Sequence, residues 1–254
     1  MLGVGILITV LSVMNGFEKE LRNKILSFTS HVNIYPSDRV TIKDLENIID
    51  TDENIKGYSI VQKNEVLLSS DEIKNIPVIV HNVNQDLESS ASEISDLIID
   101  GKFKLSSSQD IIIGNILANN LRVSIGDKIQ FTNYNKVFKQ DSFMITGIFD
   151  SGIYEYNQRF IYGSDLALTN TDSYTYIKLK LSDPLNAAKI SRDLFNQYSI
   201  ISSNWTETHN ALFQAIGNEK RVMFIILMLI IAITSFNIIS SLSLLVLNKQ
   251  KDIA

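Results

Sequence analysis

The most constraining feature of this chain is an apolar run over residues 222–247 that contains no charged side chain. As a helix rising ~1.5 Å per residue, it exceeds the ~30 Å hydrocarbon thickness of a bilayer. A helix buried in a large soluble core is the alternative, but the length and the unbroken hydrophobicity favour a transmembrane helix. Lys220 and Arg221 precede the run, and Lys249 and Lys251 follow it, so the flanking charges leave its orientation open.

A second apolar stretch, residues 1–14, would cross only part of a bilayer. It lacks the basic start and the small-residue cleavage site of a signal peptide. It also passes directly into a helical pattern over residues 17–28, in which Glu18 and Arg22 form a favourable i,i+4 pair. We therefore expect residues 1–28 to be the end of a first transmembrane helix together with its extension into water.

The sequence between the two apolar segments predicts an α+β fold. A strand, a helix opened by a Thr41–Asp44 capping box and a second strand follow residue 29, and a similar unit begins at Tyr174. The two βαβ-type units indicate one split lobe with a β-rich insertion that contains one short helix near residues 115–122. The predicted parts are residues 29–95 with 151–204 (α+β lobe), 96–150 (inserted β-rich lobe), 205–221 (membrane-proximal helix), 222–247 (second transmembrane helix) and 248–254 (start of the next segment).

Composition and motifs argue against several functions. The chain has no cysteine, which excludes disulfides and thiolate chemistry, and its net charge of -5 argues against a nucleic-acid partner. There is no phosphate-binding loop, dinucleotide fingerprint or nucleophile elbow, and the three histidines lack metal-ligand spacing. We therefore predict no catalytic residues, no metal site, no cofactor and no enzymatic activity.

Polar side chains crowd the second half of the 222–247 segment, with Thr234, Asn237 and Ser241 at helical spacing. Small and hydroxyl side chains let transmembrane helices approach closely, so these three residues are predicted to form a helix-packing seam. A polar seam that rearranges during transport is a second interpretation, and the two are compatible.

Three stretches resemble the lipoprotein-releasing permease family of LolC and LolE, within the wider superfamily that includes MacB and FtsX. They are TVLSVMNGFEKELRNKIL near the start, IIIGNILANNLRVSIGDKIQF in the centre, and the final fifty residues with FNIISSL and DIA. The first and last are specific to the permeases, whereas the central one marks the superfamily.

The resemblance implies a multi-pass permease of the bacterial inner membrane with a two-lobed periplasmic domain between spans one and two. It implies a second permease subunit or a homodimer, and a cytoplasmic, LolD-like ABC ATPase dimer. The expected activity is extraction of lipoproteins from the outer leaflet and their delivery to a LolA-like periplasmic carrier. It further implies that span one starts before Met1 and that the polypeptide continues after Ala254.

Two candidate sites follow from the resemblance. A hairpin at residues 132–140 would correspond to the carrier-docking hook, with Tyr134, Lys136 and Phe138 at its tip. This hairpin is short and has no proline, so a solvated hairpin turn, or a LolE-like partner subunit that receives the lipoprotein, remains an alternative. The second site is an apolar lipoprotein-binding surface, which could equally be an ordinary lipid-facing stripe; its residues are Val10, Met14, Phe17, Phe224, Leu227, Met228 and Ile231.

Other functions remain compatible with two spans around an extracytoplasmic domain. One is the sensor domain of a two-span signalling receptor, and others are a MacB-like exporter or an FtsX-like regulatory permease. The sequence also leaves open whether the chain is LolC-like, LolE-like or a single permease, and which lipoproteins it handles.

Overall fold

The computed structural model describes residues 2–37, 40–69, 76–132, 142–164, 166 and 173–253. Within these ranges the chain is a mixture of helices and strands. The helices are α1 (Leu2–Phe28), α2 (Ile42–Thr51), α3 (Gln85–Ala91), α4 (Asn115–Leu121), α5 (Tyr154–Arg159), α6 (Ala187–Tyr198), α7 (Trp205–Thr208) and α8 (Asn210–Ile253). The strands are β1 (Val32–Tyr35), β2 (Ile55–Ser69), β3 (Ile76–Val83), β4 (Ile98–Gly101), β5 (Asp110–Gly114), β6 (Lys128–Thr132), β7 (Ser142–Phe149), β8 (Phe160–Gly163), β9 (Tyr174–Leu181) and β10 (Ile201–Asn204).

The chain divides into two compact units, residues 1–22 with 209–254 and residues 23–208. In the first unit, α8 is long and apolar enough to cross a membrane, and this is the one such helix among the described residues. The predicted membrane-proximal helix and the predicted transmembrane helix lie in one continuous helix, because α8 runs without interruption from Asn210 to Ile253.

The strands of the second unit form one sheet in the order β10-β1-β9-β2-β3-β8-β5-β7-β4, and β6 pairs with β2 and β7. Strand β9 lies antiparallel between β1 and β2, and β1 lies antiparallel between β9 and β10. The unit β1–α2–β2 therefore has β9 between its two strands, and the unit β9–α6–β10 has β1 between its two strands. The two predicted strand–helix–strand units are thus interleaved split βαβ units. The predicted α+β class is confirmed.

Local sequence signals account for the helix ends. The predicted capping box is present at the start of α2, where the Thr41 side chain accepts from the Asp44 backbone and the Asp44 carboxylate accepts from the Thr41 backbone. Before α6, the Asp183 carboxylate accepts from the Leu185 amide at 2.9 Å over a 3₁₀ turn that begins with Pro184. The chain leaves α6 through Ser199 in the left-handed region, φ 55°.

The junction between β10 and α7 is fixed by a buried asparagine. Asn204 is 1% exposed, and its Oδ1 accepts from the backbone amides of Thr206 and Glu207 at 3.1 and 3.2 Å. The neighbouring Trp205 ring donates from Nε1 to the Pro184 carbonyl at 2.8 Å. The two bonds to Asn204 Oδ1 satisfy the first amides of the short helix α7, as an N-cap side chain does.

The segment predicted as an inserted lobe, residues 96–150, shares its core with the rest of the second unit. Strand β5 of this segment pairs with β8, which lies outside it. One hydrophobic cluster contains Val66 and Val80 from before the segment, Ile111 and Ile145 from within it, and Ile161 from after it. The hydrophobic core therefore continues across residues 96 and 150, and the division into two lobes stays a prediction.

Candidate functional site

Two helices in the first unit each bury one stripe of side chains. Along α1, Leu11, Met14 and Glu18 are half-buried at spacings of three and four residues. Along α8, Leu227 is 6% exposed, and Lys220 and Met223 are half-buried at similar spacing. Spacings of three and four residues place side chains on one face of a helix, as in paired helices. We call the four apolar ones, Leu11, Met14, Met223 and Leu227, the interhelical seam.

A polar cluster joins the two helices at one end of the interhelical seam. Lys220 Nζ donates to Asn15 Oδ1 at 2.9 Å and also to the Glu18 carboxylate. Glu18 accepts a further bond from Arg22 on its own helix at 2.7 Å. The side chains of Lys220 and Glu18 are 27% and 23% exposed, so this ion pair is half-buried. We call Asn15, Glu18, Arg22 and Lys220 the polar clasp.

The structure divides the predicted lipoprotein-binding residues into two groups. Met14 and Leu227 belong to the interhelical seam, and Val10 and Ile231 are half-buried. In contrast, Phe17, Phe224 and Met228 are 58%, 53% and 54% exposed. Successive residues of a helix are rotated by about 100° around its axis, which places these three side chains at the margins of the buried stripes. Their role in lipoprotein binding stays a prediction.

The predicted helix-packing residues Thr234, Asn237 and Ser241 are all exposed in this chain. The Thr234 hydroxyl donates to the Ile230 carbonyl of its own helix at 2.8 Å. Their packing against a further helix stays a prediction. The proposed hook tip, with Tyr134, Lys136 and Phe138, lies outside the described residues.

A buried ion pair in the second unit was not predicted from the sequence. Lys178 on β9 and Glu88 on α3 are 4% and 0% exposed, and Nζ lies 2.6 Å from Oε1. The Ser92 hydroxyl donates to the same Oε1 at 2.9 Å. Among the residues that the structure describes, Oε2 of Glu88 has no hydrogen-bond partner. The charge of Glu88 is therefore balanced mainly by one cation.

Further polar groups occupy the same face of the sheet. Ser59 on β2 pairs with Lys178 on β9, and His81 on β3 pairs with Tyr162 on β8. Burial and the nearby Lys178 and Lys63 cations lower the pKa of His81 well below its usual value. Burial, reinforced by the Glu88 carboxylate, raises the pKa of Tyr162 well above its usual value. Both shifts favour the neutral forms of His81 and Tyr162, which lie beside the Lys178–Glu88 pair.

The alternation in β9 explains why the sequence concealed this layer. Ile177 and Leu179 alternate with Lys178 and Lys180, which predicts a strand with its lysines in water. In the structure β9 is a central strand, and α3 covers the face that carries Lys178. Gly57 is a weak sequence signal that a helix covers this part of the sheet, since a Cβ there would lie 2.5 Å from the Ser90 carbonyl oxygen on α3.

The described residues include no group of three or more histidines and carboxylates that could hold a metal ion. The first unit offers apolar side chains on α1 and α8 flanked by the polar clasp. The buried pair in the second unit is inaccessible to solvent and supports the fold.

Comparison with known proteins places this arrangement in a family. Residues 1–195 match the family described as MacB-like periplasmic core domain. Over its whole length the chain is 33% identical to the lipoprotein-releasing system transmembrane protein LolC of Neisseria meningitidis and 29% identical to LolE of Haemophilus influenzae. It spans 65% of the length of each of these curated relatives. The periplasmic region of MacB from Actinobacillus actinomycetemcomitans is a more distant match, with a TM-score of 0.47 and 11% identity over 76% of this chain and 96% of that one.

The resemblance noted in the sequence is confirmed by these matches, which extend through both apolar helices and the sheet. The chain belongs to the family of proteins with a MacB-like periplasmic core domain, and along its whole length it is related to the LolC and LolE transmembrane proteins.

Proposed function

We propose that this chain is part of the permease subunit of an ABC transporter that releases lipoproteins from the bacterial inner membrane. The observation that supports this best is the similarity to LolC and LolE, which covers every residue of the chain. The match includes the long apolar helix as well as the sheet. The subunit itself is not catalytic, and ATP is hydrolysed by a separate cytoplasmic, LolD-like ATPase dimer.

In this proposal α8 crosses the inner membrane, and residues 23–208 lie on the periplasmic side. The apolar run of α8 has a mean hydropathy of 2.8 over its most apolar window, and only 6% of that window is buried within the chain. Such a surface is stable when lipid or other transmembrane helices cover it. A second permease subunit, or another copy of this one, supplies some of that cover, with Thr234, Asn237 and Ser241 at the contact.

The acyl chains of the lipoprotein bind at the interhelical seam and its margins. Met14 and Leu227 lie in the seam, while Phe17, Phe224 and Met228 are exposed beside it. Each methylene that would otherwise enter water as the lipoprotein leaves the bilayer costs about 0.8 kcal/mol, so exposed apolar side chains beside the seam can keep an acyl chain covered. Methionine is unbranched and flexible, which suits acyl chains of different lengths.

The lipoprotein then passes to a LolA-like periplasmic carrier. We propose the tip residues Tyr134, Lys136 and Phe138 as the contact with that carrier. Photo-crosslinking at Tyr134 and Phe138 tests this assignment: adducts with the carrier support it. Adducts with a partner permease and none with the carrier favour a LolE-like role.

Release of a lipoprotein from proteoliposomes tests the proposed function. The full-length permease, its partner subunit and its ATPase are reconstituted with a lipoprotein, and carrier-bound lipoprotein is measured after ATP addition. We expect Leu227→Lys to block release while ATPase assembly is retained, because the charge enters the seam. Leu229→Lys is the matched control, since Leu229 is 58% exposed on the same helix. If the unaltered permease shows no ATP-dependent release, the proposal is contradicted.

A further inference from the structure

We propose that Glu18 and Lys220 are positioning residues that close the interhelical seam at its polar end and so control acyl-chain entry between α1 and α8. This inference rests on the proposed function, because it names the control of the same lipoprotein-binding site. It assigns no new contact to the lipoprotein itself.

The polar clasp lies next to the seam along both helices. Met14 is one helical turn from Glu18, and Met223 is one turn from Lys220. Lys220 donates to Asn15 and Glu18 together, and Arg22 donates to Glu18 at 2.7 Å. The bonds from Lys220 therefore link the two helices through polar groups, and Arg22 fixes the carboxylate that receives one of them.

An apolar seam alone gives a weak preference for a closed pair of helices within a bilayer. Lipid tails are as apolar as leucine or methionine side chains, so exchanging one for the other changes the free energy little. A half-buried, charge-assisted bond differs, since acyl chains cannot replace it. The clasp rather than the seam therefore determines whether the helices stay together.

The consequence for transport is a gate. While Lys220 bonds Glu18, Leu227 stays covered at 6% exposure and Met14 half-covered. When the pair separates, both side chains become available to an acyl chain. Phe17 and Phe224 are already exposed beside the seam, at 58% and 53%, and provide the first apolar contact.

Charge reversal and charge exchange test this assignment in the full-length permease with its partner and ATPase. Lys220→Glu places two carboxylates together and should open the seam. The double variant Glu18→Lys, Lys220→Glu restores an opposite pair, and Lys220→Arg keeps the charge. Arg221→Glu is the matched control, because Arg221 is the exposed neighbour of Lys220 on the same helix. Thermal unfolding of each variant checks that it folds.

Two measurements are made on each variant. The first is the yield of a disulfide between cysteines placed at Met14 and Met223, which is possible because the chain has no cysteine of its own. The second is ATP-dependent lipoprotein release. We expect Lys220→Glu to lower the disulfide yield by about tenfold, because the seam opens, and to raise release, because Met14 and Leu227 become available to an acyl chain. The exchanged pair, Lys220→Arg and Arg221→Glu should stay close to the unaltered protein.

The outcomes separate this inference from the function on which it rests. Unchanged cross-linking and release in Lys220→Glu would overturn the role of the clasp while leaving the permease proposal intact. A change in Lys220→Glu that persists in the exchanged pair would also overturn it, and so would a decrease in release when the disulfide yield falls. If the unaltered permease releases no lipoprotein, the proposed function fails, and cross-linking still reports on the clasp.

Discussion

Replacing Lys178 by methionine removes the cation that faces Glu88 and retains most of the volume of the side chain. The carboxylate of Glu88 is then left at 0% exposure and, among the described residues, with the Ser92 hydroxyl as its donor. The cation–π contact of Lys178 with the Tyr162 ring, at 5.9 Å, is lost as well. Because a buried charge without its partner is costly, we expect a large loss of stability.

The expected size follows from the burial of both partners. Removing one member of a buried ion pair costs about 3–5 kcal/mol, which corresponds to a decrease of at least about a hundredfold in the folding equilibrium constant. Removing both charges in Lys178→Met with Glu88→Leu leaves no unpaired charge, so that variant should recover to within about 1 kcal/mol of the unaltered protein. Ser92 keeps an acceptor in the double variant, because its hydroxyl also lies 3.2 Å from the Glu88 carbonyl.

The single tryptophan of the chain supplies the assay. Trp205 is 5% exposed in the second unit, so a red shift of its emission during urea denaturation reports unfolding there. Lys180→Met is the matched control: Lys180 lies two residues further on β9, is 25% exposed and pairs with Glu93 at 3.4 Å. Exposed pairs contribute about 0–1 kcal/mol, so this variant should change little. Equal effects of Lys178→Met and Lys180→Met, or strictly additive effects of Lys178→Met and Glu88→Leu, would refute the reasoning.

The remaining predictions concern pH, packing and nucleotide binding. In the folded chain, burial beside Tyr162 and Tyr176 and the cations of Lys63 and Lys178 lower the pKa of His81, whereas an unfolded histidine binds a proton near pH 6.5. The free energy of unfolding should therefore decrease as the pH falls below about 6.5. Urea titrations at pH 7.5 and 5.5 measure this decrease, which should be smaller in His81→Leu. Gly57→Ala should lower the free energy of unfolding by about 1–3 kcal/mol, since the new Cβ would lie 2.5 Å from the Ser90 carbonyl oxygen. Gly217→Ala is the control: a Cβ there has nothing within 4 Å, so the protein should be equally or slightly more stable in the same thermal scan. The purified chain should neither bind nor hydrolyse ATP; calorimetry with ATP and Mg²⁺ and a phosphate-release assay check this, and turnover that survives removal of contaminating ATPases would contradict the permease proposal.

Local signals in the sequence predicted several elements correctly. The capping box at Thr41, the helix at residues 115–122 and the apolar run of α8 all depend on neighbours within a few residues. Propensity and periodicity record such short-range causes directly. The two split βαβ units were recognised for the same reason, since each is a local run of strand, helix and strand.

Long-range pairing was beyond the reach of the same reasoning. The burial of Lys178 depends on α3, which lies about ninety residues earlier in the chain, and alternation in β9 gives no sign of it. The shared core across residues 96 and 150 depends on β5 pairing with β8, another contact between distant strands. In the first unit, periodicity indicated the apolar faces of α1 and α8 but could not tell which side chains the other helix covers. Met14 and Leu227 are covered, whereas Phe17, Phe224 and Met228 are exposed beside the seam, and their role in lipoprotein binding stays a prediction.

The cap at Asn204 has a practical consequence for producing this protein in a eukaryotic secretory host. Residues 204–206 read Asn-Trp-Thr, which is the acceptor pattern for N-linked glycosylation. The side chain of Asn204 is 1% exposed, and its oxygen accepts from two backbone amides. An oligosaccharide needs a surface asparagine with a free amide nitrogen, so once folded this site will not accept a glycan. Any glycan found there by mass spectrometry would have been attached before β10 joined the sheet, and it would mark molecules in which that edge of the sheet had not formed.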